Sequence, residues 1–395
     1  METLKVLHIT PRPLPDIRVE RAILSDHYMG NEVYLAAPDI TGRAIREIPL
    51  GFYKLKFTLF DKAGYRRSRG KLKKIVQRVK PDVIHAHDFP SAYLSKGLAP
   101  MVYDSHEDRV STAYIRAKVK LKTLLGPLSS LLEFIPKKYY RKNVEVIEDV
   151  VVVAPSNKIV EKYLKFGARK GFELPNFPHK LEVPKIEPGI EEETIHGAVD
   201  RPQYIVHGHK FPHRRPVDGF PKKFEEGRYG KLFFVGGNIG DYKNVTRHEF
   251  VPHMRLYEMF KDVRTLLVPR KPHPLHEGIS PNRVYTLIQV GAVPVIPRTL
   301  TQVIKYVPEA ITFYDDEEFR DILEGIANED SDNRIRKKRR VYEVAKRVRR
   351  LDEVQREAYK YARSGKCLFI IALRRPSSPH LIILLMISPT KIASS

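Results

Sequence analysis

Two short runs place polar groups directly after apolar stretches. "DVIHAHD" (82–88) ends in His85, His87 and Asp88, and "MVYDSHE" (101–107) ends in Asp104, His106 and Glu107. Imidazoles beside carboxylates can hold a proton near neutral pH and stabilise developing charge. One His-x-His carries little weight in a chain with 15 histidines. Two polar clusters after consecutive strands carry more. A second kind of chemistry is suggested by "HEGISPNRVYTLIQVGAVPVIP" (276–297), read as loop, short helix and strand. Ser280 can cap that helix, Pro281 suits its first turn and Gly291 can close it. Ser280 and Asn282 then sit where bare N–H groups and the helix dipole favour an anion. Lys210, Arg214 and Arg215 follow the apolar strand of "QYIVHGHKFPHRRP" (203–216), and Gly236 and Gly237 open the loop "GGNIG" (236–240). Such a loop lets backbone approach a ligand closely. There is no Walker loop and no nucleophile motif. No metal is expected. "DSD" (330–332) is not at a strand end, and "HGHKFPH" (207–213) has no cysteine partners.

These groups need elements to hold them. "KVLHIT" (5–10) reads as a buried strand, residues 18–29 as a helix stopped by Gly30, and "EVYLAA" (32–37) as the next strand. "DVIHAHD", "MVYDSHE", "VVVAPS" (151–156) and "FELPNFP" (172–178) continue the series. After "HKLEVPKIEPGIEEE" (179–193), rich in Pro and charge, the pattern restarts with "QYIVHGH", "KLFFVGGNIGDY" (231–242), "VRTLLVP" (263–269) and "VPVI" (293–296). Strand–helix–strand order predicts parallel sheets, so the expected class is α/β with two facing Rossmann-like, doubly wound domains. The boundaries read are 1–178 for the first domain, 179–200 for a linker, 201–363 for the second domain and 364–395 for an atypical tail. In such sheets ligands bind at the carboxyl ends of the strands, where the polar clusters fall.

Length and charge bound the rest. The 395 residues exceed one ordinary core and suit two domains. The single cysteine, Cys367, excludes an internal disulfide framework. The start "METLKVLHIT" lacks the form of a signal peptide, and no run of about 18 apolar residues occurs, so a cytoplasmic protein is expected. A net charge of +23 implies an anionic partner. The basic segment 65–82 has Leu72, Ile75, Val76 and Val79 at helical spacing, which predicts a solvated helix with one buried face. Residues 334–362 read as a long basic helix with Val341, Val344, Ala345, Val348 and Leu351 on a buried stripe. "TLLGPLSSLLEFIPKKYYRK" (123–142) joins an apolar stretch to Lys and Arg. It reads either as a core helix with a basic end or as a helix on an anionic membrane face.

The order and spacing of "VLHITPRPLPDIRVERAIL…GNEVYLAAP", "PDVIHAHDFPSAYL", "MVYDSHE", "VVVAPSNKIVEKY", "LPNFP", "KLFFVGG" and "SPNRVYTLIQVGAVPVIP" resemble the GT-B glycosyltransferases of the family 4 type, over roughly residues 4–310. The resemblance implies a nucleotide-diphosphate sugar as donor substrate, held mainly by the second domain, and no cofactor. It implies a glycan or lipid-linked acceptor on the first domain and metal-independent transfer with retention. Donor contacts carried over are Lys210, Arg214 and Arg215 against the diphosphate, Gly236 and Gly237 against the base, and Ser280 and Asn282 at the helix start. His87, His106 and Glu107 fall in the catalytic region, the histidines as positioning and charge-stabilising groups. Asp16, Arg18 and Asp88 fall on the acceptor side.

One position departs from the family pattern. A Glu that accepts the ribose hydroxyls is replaced by Thr286, and an acidic residue eight positions earlier is replaced by Gly278, with Glu277 one residue off register. A carboxylate on two hydroxyls contributes on the order of 1.5–3 kcal/mol, so donor binding is expected to weaken roughly ten- to a hundredfold unless Glu277 or Gln289 compensates. The alternatives are a degenerate GT-B protein that binds nucleotide sugar or a partner without turnover, and a basic nucleic-acid-binding protein. The last has the charge but no recognition motif and no interleaved stacking aromatics.

Overall fold

The computed structural model describes residues 2–40, 48–57, 62–108, 110, 134–183, 203–207, 217, 219–225, 228–236, 240–249, 251, 253–261, 263–273, 276–348 and 351–364. Lys210, Arg214, Arg215 and Gly237 lie outside these residues. So do most of the candidate membrane segment, the linker from 184 onward and the tail from 365.

The first half builds a seven-stranded sheet from β1 (Lys5–Ile9), β2 (Glu32–Ala37), β3 (Gly51–Lys54), β4 (Val83–His87), β5 (Met101–Asp104), β6 (Val151–Ala154) and β7 (Lys170–Glu173). Its order is β3-β2-β1-β4-β5-β6-β7, and every pairing is parallel. Among the described residues, the helices that connect its strands are α1 (Ile17–Tyr28), α2 (Lys62–Val79), α3 (Asp88–Ser95), α4 (Phe134–Ile147) and α5 (Asn157–Lys165). The second half builds a six-stranded parallel sheet, β10-β9-β8-β11-β12-β13. Its strands are β8 (Gln203–His207), β9 (Lys231–Val235), β10 (Val245–His248), β11 (Thr265–Leu267), β12 (Val293–Pro297) and β13 (Ile311–Phe313). With it go α6 (His253–Met259), α7 (Asn282–Leu287), α8 (Thr301–Tyr306), α9 (Asp316–Ala327) and α10 (Ser331–Arg347). The two doubly wound parallel sheets expected from the sequence are present.

Local chemistry explains the boundaries that matter for the site. Asp16 caps α1, its Oδ1 accepting from the N–H groups of Arg18 (3.2 Å) and Val19 (3.4 Å). Gly30 ends the helix in the left-handed region, at φ +79°. α2 buries Leu72 and Val79 against the first sheet and leaves its basic face in solvent, as its spacing predicts. Asp330, part of the discounted "DSD", caps α10 by accepting from the Asn333 N–H at 2.8 Å.

The long basic helix read over 334–362 is two helices. α10 buries Val341 and Ala345 with Val284, Leu287 and Ile288 of the second domain. The following α11 (Leu351–Arg363) lies on the first sheet, where Ala358, Tyr359 and Ala362 pack with Val6, Val83, Val102, Val151 and Val153. Val6, Val83 and Val102 stand two residues before His8, His85 and Asp104 and so share their face, which makes α11 cover the sheet face from which the histidines project.

Candidate functional site

Strand register assembles the polar cluster. His8 of β1 pairs with His85 of β4, and His87 of β4 pairs with Asp104 of β5. Side chains two apart on a strand share a face, so all four stand together. Each is fully buried. The rings of His8, His85 and His87 stack, with centroids 4.5 to 5.4 Å apart. β4 passes into α3 at Asp88, which takes the left-handed conformation at φ 62°. That strained junction aims its carboxylate back at the cluster. Asp88 Oδ1 accepts from the His106 N–H at 3.2 Å.

Asp104 is the electrostatic centre. Arg18 grips it from α1, with Nη2 donating to Oδ1 at 2.6 Å and Nε donating to Oδ1 and Oδ2 at 2.9 and 3.1 Å. Burial alone would push the Asp104 carboxyl up, but Arg18 and the flanking histidines outweigh it and hold it well below the usual carboxylate range. Burial pushes His8 and His87 the other way, His87 well below its ordinary value, so both rings are neutral at pH 7. Around them run five short contacts: Asp26 Oδ2 to His8 Nε2 (2.7 Å), His8 Nδ1 to His87 Nε2 (3.1 Å), His87 Nδ1 to His106 Nε2 (3.2 Å), His85 Nδ1 to Tyr359 Oη (2.7 Å), and Tyr359 Oη donating to Asp26 Oδ2 (2.7 Å). His106 is the partly exposed end, its side chain 11% accessible. Its Nδ1 faces Asp88 (3.7 Å) and Asp16 (3.8 Å), and Arg12 lies 3.8 Å from Asp88. Glu107 is half-buried beside it, its carbonyl accepting from Ser105 Oγ at 2.7 Å.

The structure thus brings together His87, His106, Asp88, Asp16 and Arg18. His8, Asp26 and Tyr359 also belong to this cluster and were not singled out from sequence. A histidine inside the apolar "KVLHIT" was the available signal for His8. Asp26 and Tyr359 carry no such signal, because their helices reach the site only by packing. His87, Asp104 and His106 place one atom each within 4.8 Å of one another, as do His8, His85 and His87. Arg18 already neutralises Asp104, which weakens the case for a cation there.

Of the residues carried over to the donor side, Ser280, Asn282 and Thr286 lie on a seam against Arg21 and Asn176 of the first half. Ser280 does not cap α7; the residue before the helix is Pro281. Instead Ser280 Oγ accepts from the Asn176 N–H at 3.0 Å, and its carbonyl accepts from the Asn176 amide. Arg21 of α1 donates to Asn282 Oδ1 (3.2 Å), Thr286 Oγ1 (3.0 Å) and the Asn176 carbonyl (2.7 Å). It also makes a bidentate pair with Glu182, at 2.8 and 2.7 Å. Burial works against the Arg21 charge, but Glu182 and Tyr257 outweigh it and raise its pKa. Arg21, Glu182 and Thr286 are all buried. Glu277 pairs with Lys158 of α5, and Gln289 donates to the Tyr285 and Ala345 carbonyls at 3.4 Å. Gly236 ends β9 at φ +80°, its N–H donating to the His248 carbonyl at 3.0 Å.

Two parallel Rossmann-like sheets, of seven and six strands, decide the architecture. The fold is GT-B. Among solved structures, this GT-B chain is similar to a sucrose-phosphate synthase from Thermosynechococcus elongatus (12% identity, 91% of this chain and 98% of that chain, TM-score 0.64). It is similar to WaaG, a glycosyltransferase involved in lipopolysaccharide biosynthesis (13%, 91% and 100%, TM-score 0.62). It is also similar to Anabaena HepE in complex with UDP-glucose (11%, 91% and 99%, TM-score 0.59). No family model matches the chain, and no curated protein matches it. At these identities the likeness concerns the GT-B fold alone. Among the described residues, no helix is long and apolar enough to cross a membrane.

Proposed function

We propose that this protein is a glycosyltransferase that moves a sugar from a nucleotide-diphosphate sugar to a glycan or lipid-linked acceptor, with retention and with no metal at the diphosphate. The observation that carries this reading is the cluster of buried His87 and Asp104 with partly exposed His106 at the carboxyl edge of the first sheet of a GT-B fold. That edge is where open parallel sheets bind ligands. In the proposal, His106 meets sugar or acceptor hydroxyls, His87 and Asp88 hold His106 on the acceptor side, and Arg18 and Asp104 fix the floor beneath them. Asp16 orders the loop on the acceptor side. Lys210, Arg214 and Arg215 neutralise the leaving diphosphate, whose oxygen takes the acceptor proton. An anionic membrane surface fits the net charge of +23 as the place where a lipid-linked acceptor is met, on the cytoplasmic face.

The Arg21–Glu182 pair favours a second reading. It seals Thr286, where the resemblance puts a ribose contact, and that suits a protein that binds a nucleotide sugar without turnover. Saturation-transfer NMR with UDP, GDP and ADP sugars, followed by a transfer assay, separates the two. Binding with transfer supports the enzyme. Binding without transfer or hydrolysis supports the second reading. No response to any nucleotide sugar, with salt-sensitive RNA binding, sinks both.

A further inference from the structure

We propose that Asp26, His8 and His87 form a hydrogen-bonded lock that fixes His106 with its proton on Nε2 and presents Nδ1 to substrate. The catalytic consequence rests on the transferase reading; the lock itself does not.

The shortest contact sets the order of donors. Asp26 Oδ2 accepts from Tyr359 Oη and lies 2.7 Å from His8 Nε2, so His8 carries its proton on Nε2. Asn31 Nδ2 donates to the other oxygen, Oδ1, at 2.8 Å, which holds the Asp26 carboxylate in place. A neutral His8 then offers only a lone pair at Nδ1, and His87 Nε2, 3.1 Å away, must donate to it. That leaves His87 Nδ1 as an acceptor for His106 Nε2 at 3.2 Å. The opposite order would have His87 Nδ1 donate to Asp104 Oδ2 at 3.4 Å, which already receives Arg18. It would turn the bare nitrogen of His8 onto a carboxylate oxygen at 2.7 Å. Loss of that shorter, charge-assisted bond outweighs gain of the longer one.

The lock therefore runs from the C-terminal helix α11, through Tyr359, across β1 and β4 to the loop after β5. Its open end is His106 Nδ1, 3.8 Å from Asp16 at the start of α1 and 3.7 Å from Asp88 at the start of α3, distances beyond hydrogen-bond range, unlike the 2.7 Å contact of His8 with Asp26. Asp26, His8 and His87 are buried, so they act as positioning residues rather than on substrate.

Long-range 1H–15N correlation on the full-length protein, 15N-labelled at histidine, reads the tautomers directly. The expected result is an Nε2–H form for His8, His87 and His106. In His8→Phe, His87 loses its acceptor, and His106 becomes a tautomer mixture. In the transfer assay, kcat falls about tenfold or more while KM for the donor stays unchanged. His8→Gln can accept from His87 and donate to Asp26, and restores both. Asp26→Leu gives the same loss by a second route, should His8→Phe fail to fold. A wild-type His106 protonated on Nδ1, an unchanged tautomer in folded variants, or stoichiometric zinc on His87, Asp104 and His106 would overturn the lock. The expected tautomers in a protein that turns over no nucleotide sugar would support the lock and remove the transferase reading.

Discussion

Arg18 and Asp104 give the sharpest tests at the residue scale. Removing Arg18 leaves a carboxylate with no exposure and no opposite charge, so Arg18→Met is expected to cost about 3–5 kcal/mol in chemical denaturation at pH 7. The pH dependence has a definite sign. Asp104 is held well below its ordinary value in the folded state, so the stabilisation it receives is complete above the unfolded carboxylate pKa of about 3.9 and is lost as pH falls further. The gap between wild type and Arg18→Met should narrow on acidification below that point. A gap that widens there would contradict the pairing. His8 and His87 shift the other way. Their folded pKa values are depressed, so the neutral rings are fully favourable above about 6.5. Below that pH the unfolded chain binds protons that the folded one refuses, and stability should decline. His87→Gln is expected to flatten this part of the profile.

Elements carry two further consequences. Tyr359 belongs by sequence to the end of the second half, yet its ring packs on the first sheet. Tyr359→Ala should cost about 3–5 kcal/mol and speed amide exchange in β4 to β7, with β8 to β13 largely spared. Exchange rising first in the second sheet would place α11 elsewhere. Gly291 ends the turn after α7 at φ +77°, and a Cβ there would meet Lys338 Cγ at 2.7 Å. Gly291→Ala should lower stability by about 1–2 kcal/mol through backbone strain, with added crowding of α10. Gly30 and Gly291 were both readable as helix stops, because a left-handed residue after a helix strongly favours glycine. The break between α10 and α11 was not readable, since both segments are basic with one apolar stripe. Helical spacing says which face is buried but not against which sheet.

For the whole molecule, the Arg21–Glu182 pair joins α1, the turn after β7 and α7 in one buried unit. Either single substitution, Arg21→Met or Glu182→Leu, should cost about 3–5 kcal/mol by stranding the other charge. The double variant should recover much of that loss. A double-mutant cycle with no coupling would show that the seam is held by other contacts. The same pair reaches Thr286. Glu182 and Thr286 both receive Arg21 Nη2, so a carboxylate stands near Thr286 and Arg21 takes up its charge.

The sequence by itself determined the architecture. Alternating apolar strands, glycine stops and polar residues at strand ends specify two doubly wound parallel sheets through local periodicity and turn chemistry. It also placed His87, His106 and Asp88 at the carboxyl edge of the first sheet, since that edge follows from strand direction. Tertiary structure alone decided what those residues touch. Strand register brought His8 beside His85 and His87 beside Asp104, and helix packing delivered Asp26, Arg18 and Tyr359 from both ends of the chain. Tertiary packing also turned Ser280, Asn282 and Thr286 from an open helix start into a seam against Asn176 and Arg21. Periodicity records which face of an element is buried. It holds no information about the partner that buries it, and in this protein the partners set the chemistry.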